Sequence, residues 1–116
     1  MEQSELEEVF RYYVGLLSEL PPPVAQFKAI PGRKFRFDFA WPEKRLLVEI
    51  QGGIWTNGGH SRGAGMKRDH EKANMAAALG YRVMYFNSDF ANDPEAHIAL
   101  VVAAYNYGST LQDVTN

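Results

Sequence analysis

Two strand-like runs constrain this chain more than any other feature, because a single acid interrupts each of them. In the first, Phe35, Phe37 and Phe39 alternate with Lys34, Arg36 and Asp38, which is the period of a half-buried strand. The second, Leu46 to Ile50, is a nearly continuous apolar run of the kind an interior strand needs, broken only by Glu49. Taking Pro42 to Arg45 as the turn pairs Trp41 with Leu46 and sets Asp38 opposite Glu49. Directly opposed residues on antiparallel strands have Cβ atoms about 5 Å apart on one face. Two carboxylates that close repel unless a positive group lies between them, and a divalent metal with oxygen ligands is the natural guest. Gln51 is two residues past Glu49 and shares its face.

The rest of the chain supplies helices and a loop around this pair. Ser4 to Leu20 predicts a helix, with Leu6, Val9, Phe10, Tyr13, Leu16, Leu17 and Leu20 as its apolar stripe. Ser4 and Glu7 fit a capping box, and Pro21-Pro22-Pro23 is expected to end the helix. Val24 to Ile30 reads as a strand, with Pro31-Gly32 as a turn before the next. Gly52 to Gly65 holds six of the ten glycines and reads as a long loop carrying Trp55, Asn57, His60, Ser61 and Arg62. Met66 to Leu79 predicts a second helix stopped by Gly80, and Tyr81 to Phe86 a strand parallel to Leu46–Ile50. Asp93-Pro94 caps a last helix through Tyr107, ended by Gly108. The expectation is one α/β domain over residues 1–108, an αβββαβ core with a terminal helix, and a flexible tail over 109–116.

Composition narrows the function classes. The 116 residues include no cysteine, which excludes disulfides and thiolate metal sites and suggests a reducing cytosol. No apolar run approaches the roughly 20 residues that span a bilayer, and the acidic first residues do not indicate a secretory signal. The net charge of −2 disguises a strong asymmetry. Residues 28–72 hold ten Lys/Arg against five Asp/Glu, whereas residues 89–116 hold four acids and no Lys or Arg. A local basic surface around the two acids can attract phosphates, although a solvated face of mixed charge has the same composition.

The order of these residues resembles a known family. Phe37-Asp38 followed by Glu49-Ile50-Gln51 is similar to the core motif of PD-(D/E)XK nucleases. The longer string adds Gly52-Gly53, His60-x-Arg62-Gly63-x-Gly65, Asp69-x-Glu71-Lys72-x-Asn74 and Gly80-Tyr81-Arg82-Val83. It resembles small phage-type endonucleases related to very short patch repair endonucleases, over roughly residues 4–90. The resemblance implies a restriction-endonuclease-like fold with a mixed central sheet, cytoplasmic in a bacterium or phage-infected cell. It also implies hydrolysis of DNA with Mg²⁺ or Mn²⁺, structure-selective at nicks, flaps, junctions or mismatches. Asp38, Glu49 and the Ile50 carbonyl would hold the metal, with Glu7 as a further oxygen or merely a cap residue, and Glu8 or Glu5 in its place. Gln51 stands where the family name expects Lys; it can orient water but carries no charge. His60 could then act as base, and Lys72 could supply the cation in preference to Lys67. Arg36, Arg62, Lys67 and Arg68 are candidate phosphate contacts, and Trp55 either stacks on a base or caps the core. Cutting both strands of a duplex would call for a homodimer. The rival readings are a DNA-binding module without turnover and an interaction protein whose acids are neutralised by Arg36 or Lys72.

Overall fold

The computed structural model describes the backbone of residues 1–51 and 62–115 and the side chains of 1–51 and 63–107. The elements follow the order α1 (Gln3–Leu17), β1 (Val24–Phe27), β2 (Phe37–Trp41), β3 (Leu46–Gln51), α2 (Arg62–Ala78), β4 (Arg82–Asn87) and α3 (Pro94–Thr115). The strands form one sheet in the order β1-β2-β3-β4, antiparallel except for the parallel β3–β4 pair. Trp41 pairs with Leu46 as the turn spacing requires, the turn closing through a short 3-10 segment at Pro42–Lys44 and a left-handed Arg45 at φ 50°.

Helices cover both faces of the sheet. Leu46, Val48 and Ile50 of β3 join Phe39, Trp41 and Phe86 in a cluster with Leu6, Phe10 and Val14 of α1 and Ile98 and Val101 of α3. Leu47 faces the other way, with Ala40, Phe37, Ala29, Ile30 and Ala76 of α2. Burial on both faces is why Leu46–Ile50 is almost uninterruptedly apolar. The Trp41 indole N–H donates to the Pro21 carbonyl at 2.7 Å, which ties the segment after α1 to the sheet.

Several local expectations give way. α1 starts two residues after Met1, with Glu2 as N-cap and the Glu5 carboxylate accepting the Glu2 N–H at 3.3 Å, so Ser4 and Glu7 do not form the capping box. It ends before the prolines, where the Ser18 hydroxyl donates to the Val14 carbonyl and accepts the Leu20 N–H. Val14 rather than Leu16 or Leu17 completes its buried face; Leu16 is 60 % exposed. β1 covers only Val24–Phe27, and β2 begins at Phe37 rather than Phe35. Phe37 and Phe39 fall in different clusters, because the strand alternation breaks at Asp38. α2 begins at Arg62, so Gly63 and Gly65 are helical rather than part of the loop, and their absent side chains face open space. Gly80, at φ +86°, is the helix stop expected of it. The Asp93 carboxylate caps α3 by accepting the Ala96 N–H, and the helix runs through Gly108 to Thr115 instead of ending there.

Candidate active site

β2 and β3 are hydrogen-bonded partners up to Phe39–Val48, and at the next pair the carboxylates take over from the backbone. The Asp38 N–H donates to Glu49 Oε1 at 3.0 Å, and the Ile50 N–H donates to Asp38 Oδ2 at 2.7 Å. Each acid thus holds the other's strand, and both converge at the opening of the ladder. The pairing of β1 with β2 also skips this level. Val24, Ala25 and Phe27 are in register with Ala40, Phe39 and Phe37, while Gln26, which would face Asp38, has a φ of 54°. A non-glycine residue there is uncommon and is a strained conformation that clusters at functional sites.

Two glutamines reach the same place from outside it. Gln3 Nε2 lies 2.7 Å from both Glu7 Oε2 and the Ile50 carbonyl oxygen, donating to each. Gln26 Nε2 donates to the other Glu7 oxygen at 3.2 Å. Glu7 and the Ile50 carbonyl therefore share one neutral amide donor. On the opposite side Lys72 of α2 forms an ion pair with Glu49 at 2.7 Å, both side chains about 15 % exposed (15 % and 16 %). Its ammonium also lies 4.4 Å from the centroid of the Phe37 ring. Arg36 makes no such bond among the described residues.

The electrostatics follow from this crowding. Burial pushes the Asp38 carboxyl up to about 6, opposed by the Ile50 N–H hydrogen bond, assisted by the charges of Glu49 and Glu7, and opposed again by Lys72. The Tyr85 phenol is likewise pushed up, by burial first and then by Glu49 and Asp69. Two carboxylates and a main-chain carbonyl are hard oxygen donors, the set that suits Mg²⁺ or Mn²⁺. Of these donors, Glu7 and the Ile50 carbonyl already accept hydrogen bonds from the Gln3 amide. Among the described residues, no three His, Cys, Asp or Glu side chains come together as a metal-binding group.

Of the other residues proposed from sequence, Gln51 ends β3, exposed and in register with Asn87. Arg36, Lys67 and Arg68 are exposed and make no hydrogen bond or ion pair among the described residues; Lys28 and Lys34 behave likewise. All five lie toward the acid end of the sheet, on the β1–β2 connection or in the first half of α2. At the far end, Arg45 and Arg82 are tied to the carbonyls of Leu79 and Ala104, each at 2.7 Å. Trp55, His60 and the Arg62 side chain lie outside the described residues. An apolar hollow lined by Ile30, Pro31, Met75, Ala78 and Leu79 contains none of these groups. Gln3, Gln26 and Tyr85 are the members that sequence reasoning missed. Only the strand alternation of Tyr81 to Phe86 could have placed Tyr85 on the acid face.

No protein-family model matches the sequence, and no curated protein sequence matches it. Among solved structures the chain is similar to the Homing Endonuclease I-Bth0305I Catalytic Domain, with a TM-score of 0.66 and 16 % sequence identity. The match covers 89 % of this chain and 95 % of that one. The shared feature is the fold: α1-β1-β2-β3-α2-β4-α3 with a mixed four-stranded sheet, the architecture of a restriction-endonuclease-like catalytic domain.

Proposed function

We propose that this chain is a divalent-metal-dependent DNA endonuclease that hydrolyses phosphodiester bonds at Asp38 and Glu49. The observation that carries the reading is the convergence of those two carboxylates where the β2–β3 ladder opens, with Lys72 beside them. A half-buried acid is costly unless hydrogen-bonded and paired, and Asp38, its pKa raised to about 6, has the Ile50 N–H but no ion pair among the described residues. The fold shared with a homing endonuclease catalytic domain supports the same reading.

In this proposal Asp38, Glu49 and the Ile50 carbonyl hold Mg²⁺ or Mn²⁺, with Glu7 as a further oxygen. When bound, such an ion makes water a better nucleophile and offsets charge on a phosphate. The chain's own groups do the rest. Lys72 supplies the positive charge that Gln51 lacks, stabilising the negative charge that builds up on the phosphate. Gln51, at the exposed end of β3, orients the attacking water, and His60 is the candidate base. Arg36, Arg62, Lys67 and Arg68 hold flanking phosphates, with Trp55 against a base. Structure-selective cutting at a nick, flap, junction or mismatch, as in very short patch repair endonucleases and small phage enzymes, suits a chain of this size. Cutting both strands would bring in a second copy of the chain.

A second reading has one observation in its favour: the Lys72–Glu49 ion pair neutralises Glu49 without any metal. On that reading the protein binds a partner and turns nothing over. A cleavage panel of single strands, flaps, junctions and duplexes with Mg²⁺ or Mn²⁺, beside Asp38→Ala and Glu49→Ala, separates the two. The nuclease reading expects metal-dependent cutting that both variants abolish. Cutting that persists in the variants, or calorimetry showing no Mn²⁺ uptake, sinks it.

A further inference from the structure

The half-exposed ring of Tyr85 stands on the face that carries the acids. The register β3–β4 pairs Leu47 with Val83 and Glu49 with Tyr85. Leu47 and Val83 both pack into the α2-side cluster, so strand alternation puts Glu49 and Tyr85 on that same face, one step nearer the acid end. The α2 layer that half-covers Val83 leaves Tyr85 50 % exposed. Its ring makes no aromatic contact and its hydroxyl no hydrogen bond among the described residues. β4 is the outer strand of the sheet, so the ring stands at a rim rather than in a crevice. The other exposed tyrosines, Tyr12 and Tyr107, lie on the outer sides of α1 and α3 and do not face the acids.

Neighbouring strands are about 4.8 Å apart, so Tyr85 lies on the order of one nucleotide step from a phosphate held at Glu49. Within a continuous duplex both faces of every base are already stacked on neighbours. A fixed ring can stack only on a base at an end, in a single strand or turned out of the helix. Resting on the nuclease reading above, we propose that Tyr85 is a stacking platform for an unpaired nucleobase beside the phosphate at Asp38 and Glu49. The substrate class is then DNA with an unstacked nucleotide at the cut, and continuous duplex is the poor substrate. The exposed cations at the same end hold the backbone, while Tyr85 selects the state of the base.

Fluorescence anisotropy tests this with the full chain in Ca²⁺, a hard oxygen-ligand cation that offsets the charge of the two acids, using labelled single-stranded, flapped and continuous duplex oligonucleotides. Wild type should prefer the first two. Tyr85→Ala should weaken binding to them by about tenfold, leave duplex binding unchanged and melt within a degree or two of wild type. Tyr85→Phe, which keeps the ring, should bind as wild type does. The proposal is overturned if Tyr85→Ala binds unpaired DNA normally, if it loses duplex and unpaired DNA alike, or if Tyr85→Phe loses as much as Tyr85→Ala. Should wild type bind no DNA of any kind, the nuclease reading falls and takes this inference with it.

Discussion

Asp38 accepts a hydrogen bond from the Ile50 N–H, yet burial and two nearby carboxylates raise its pKa to about 6. An acid whose proton is held more tightly in the folded state stabilises the fold at low pH. That stability is lost as pH rises from the ordinary carboxylate value through about 6. Asp38→Asn retains an acceptor for Ile50 and cannot ionise. Without added metal it should therefore melt above wild type at pH 8, by about 1 kcal/mol once solvent screening is discounted, and the gap should close near pH 4. Added Mn²⁺ should raise the melting temperature of wild type and not of the variant; thermal melts across pH check both. Lys72→Met leaves the half-buried Glu49 carboxylate without its cation and should cost about 1–3 kcal/mol in urea unfolding. A Glu49→Gln/Lys72→Met double variant should lose less than the sum of the singles. At this scale the acid pair was legible because each member interrupts an apolar run. Gln3 and Gln26 were not, because their bonds join residues 47 and 19 positions apart and depend on how α1 and β1 lie against the sheet. Tyr85 was hidden for another reason: an aromatic residue in an aromatic-rich strand reads as core.

Elements were legible where periodicity and punctuation agreed, as in β3, the Gly80 stop and the Asp93 cap. They were misread where glycine was taken as a loop signal. Gly63 and Gly65 lie within α2, whose neighbours on the chain are good helix formers. A methyl group at either position meets nothing within 4 Å. Gly65→Ala should accordingly stabilise the protein by about 0.5–1 kcal/mol. Gly80→Ala should destabilise it by about 1–2 kcal/mol, because φ is +86° there. Paired denaturant melts of the two variants test whether glycine has opposite effects at the two ends of one helix. The early end of α1 has the same lesson: the box is set by Glu2 and Glu5, one residue type that sequence patterns treat as secondary at that position.

Across the molecule, charge is sorted by the ends of the sheet. Lys28, Lys34, Arg36, Lys67 and Arg68 lie toward the acid end without partners among the described residues, while Arg45 and Arg82 are spent on carbonyls at the other. If the nuclease reading holds, DNA affinity should fall steeply with salt. Lys67→Ala and Arg68→Ala should each reduce the log–log salt slope by about 1, whereas Arg45→Ala should leave it unchanged. Titrations between 50 and about 200 mM salt measure this. The uneven sign distribution along the chain anticipated that surface, but which cations are engaged elsewhere depends on the packed fold. The opened ladder has one more effect. The amides of Asp38 and Ile50 rest on the side-chain oxygens that the nuclease reading assigns to the metal, so anything drawing those oxygens away strips two backbone protons of their acceptors. Their exchange with deuterated solvent makes the sheet its own gauge of occupancy, readable without a substrate.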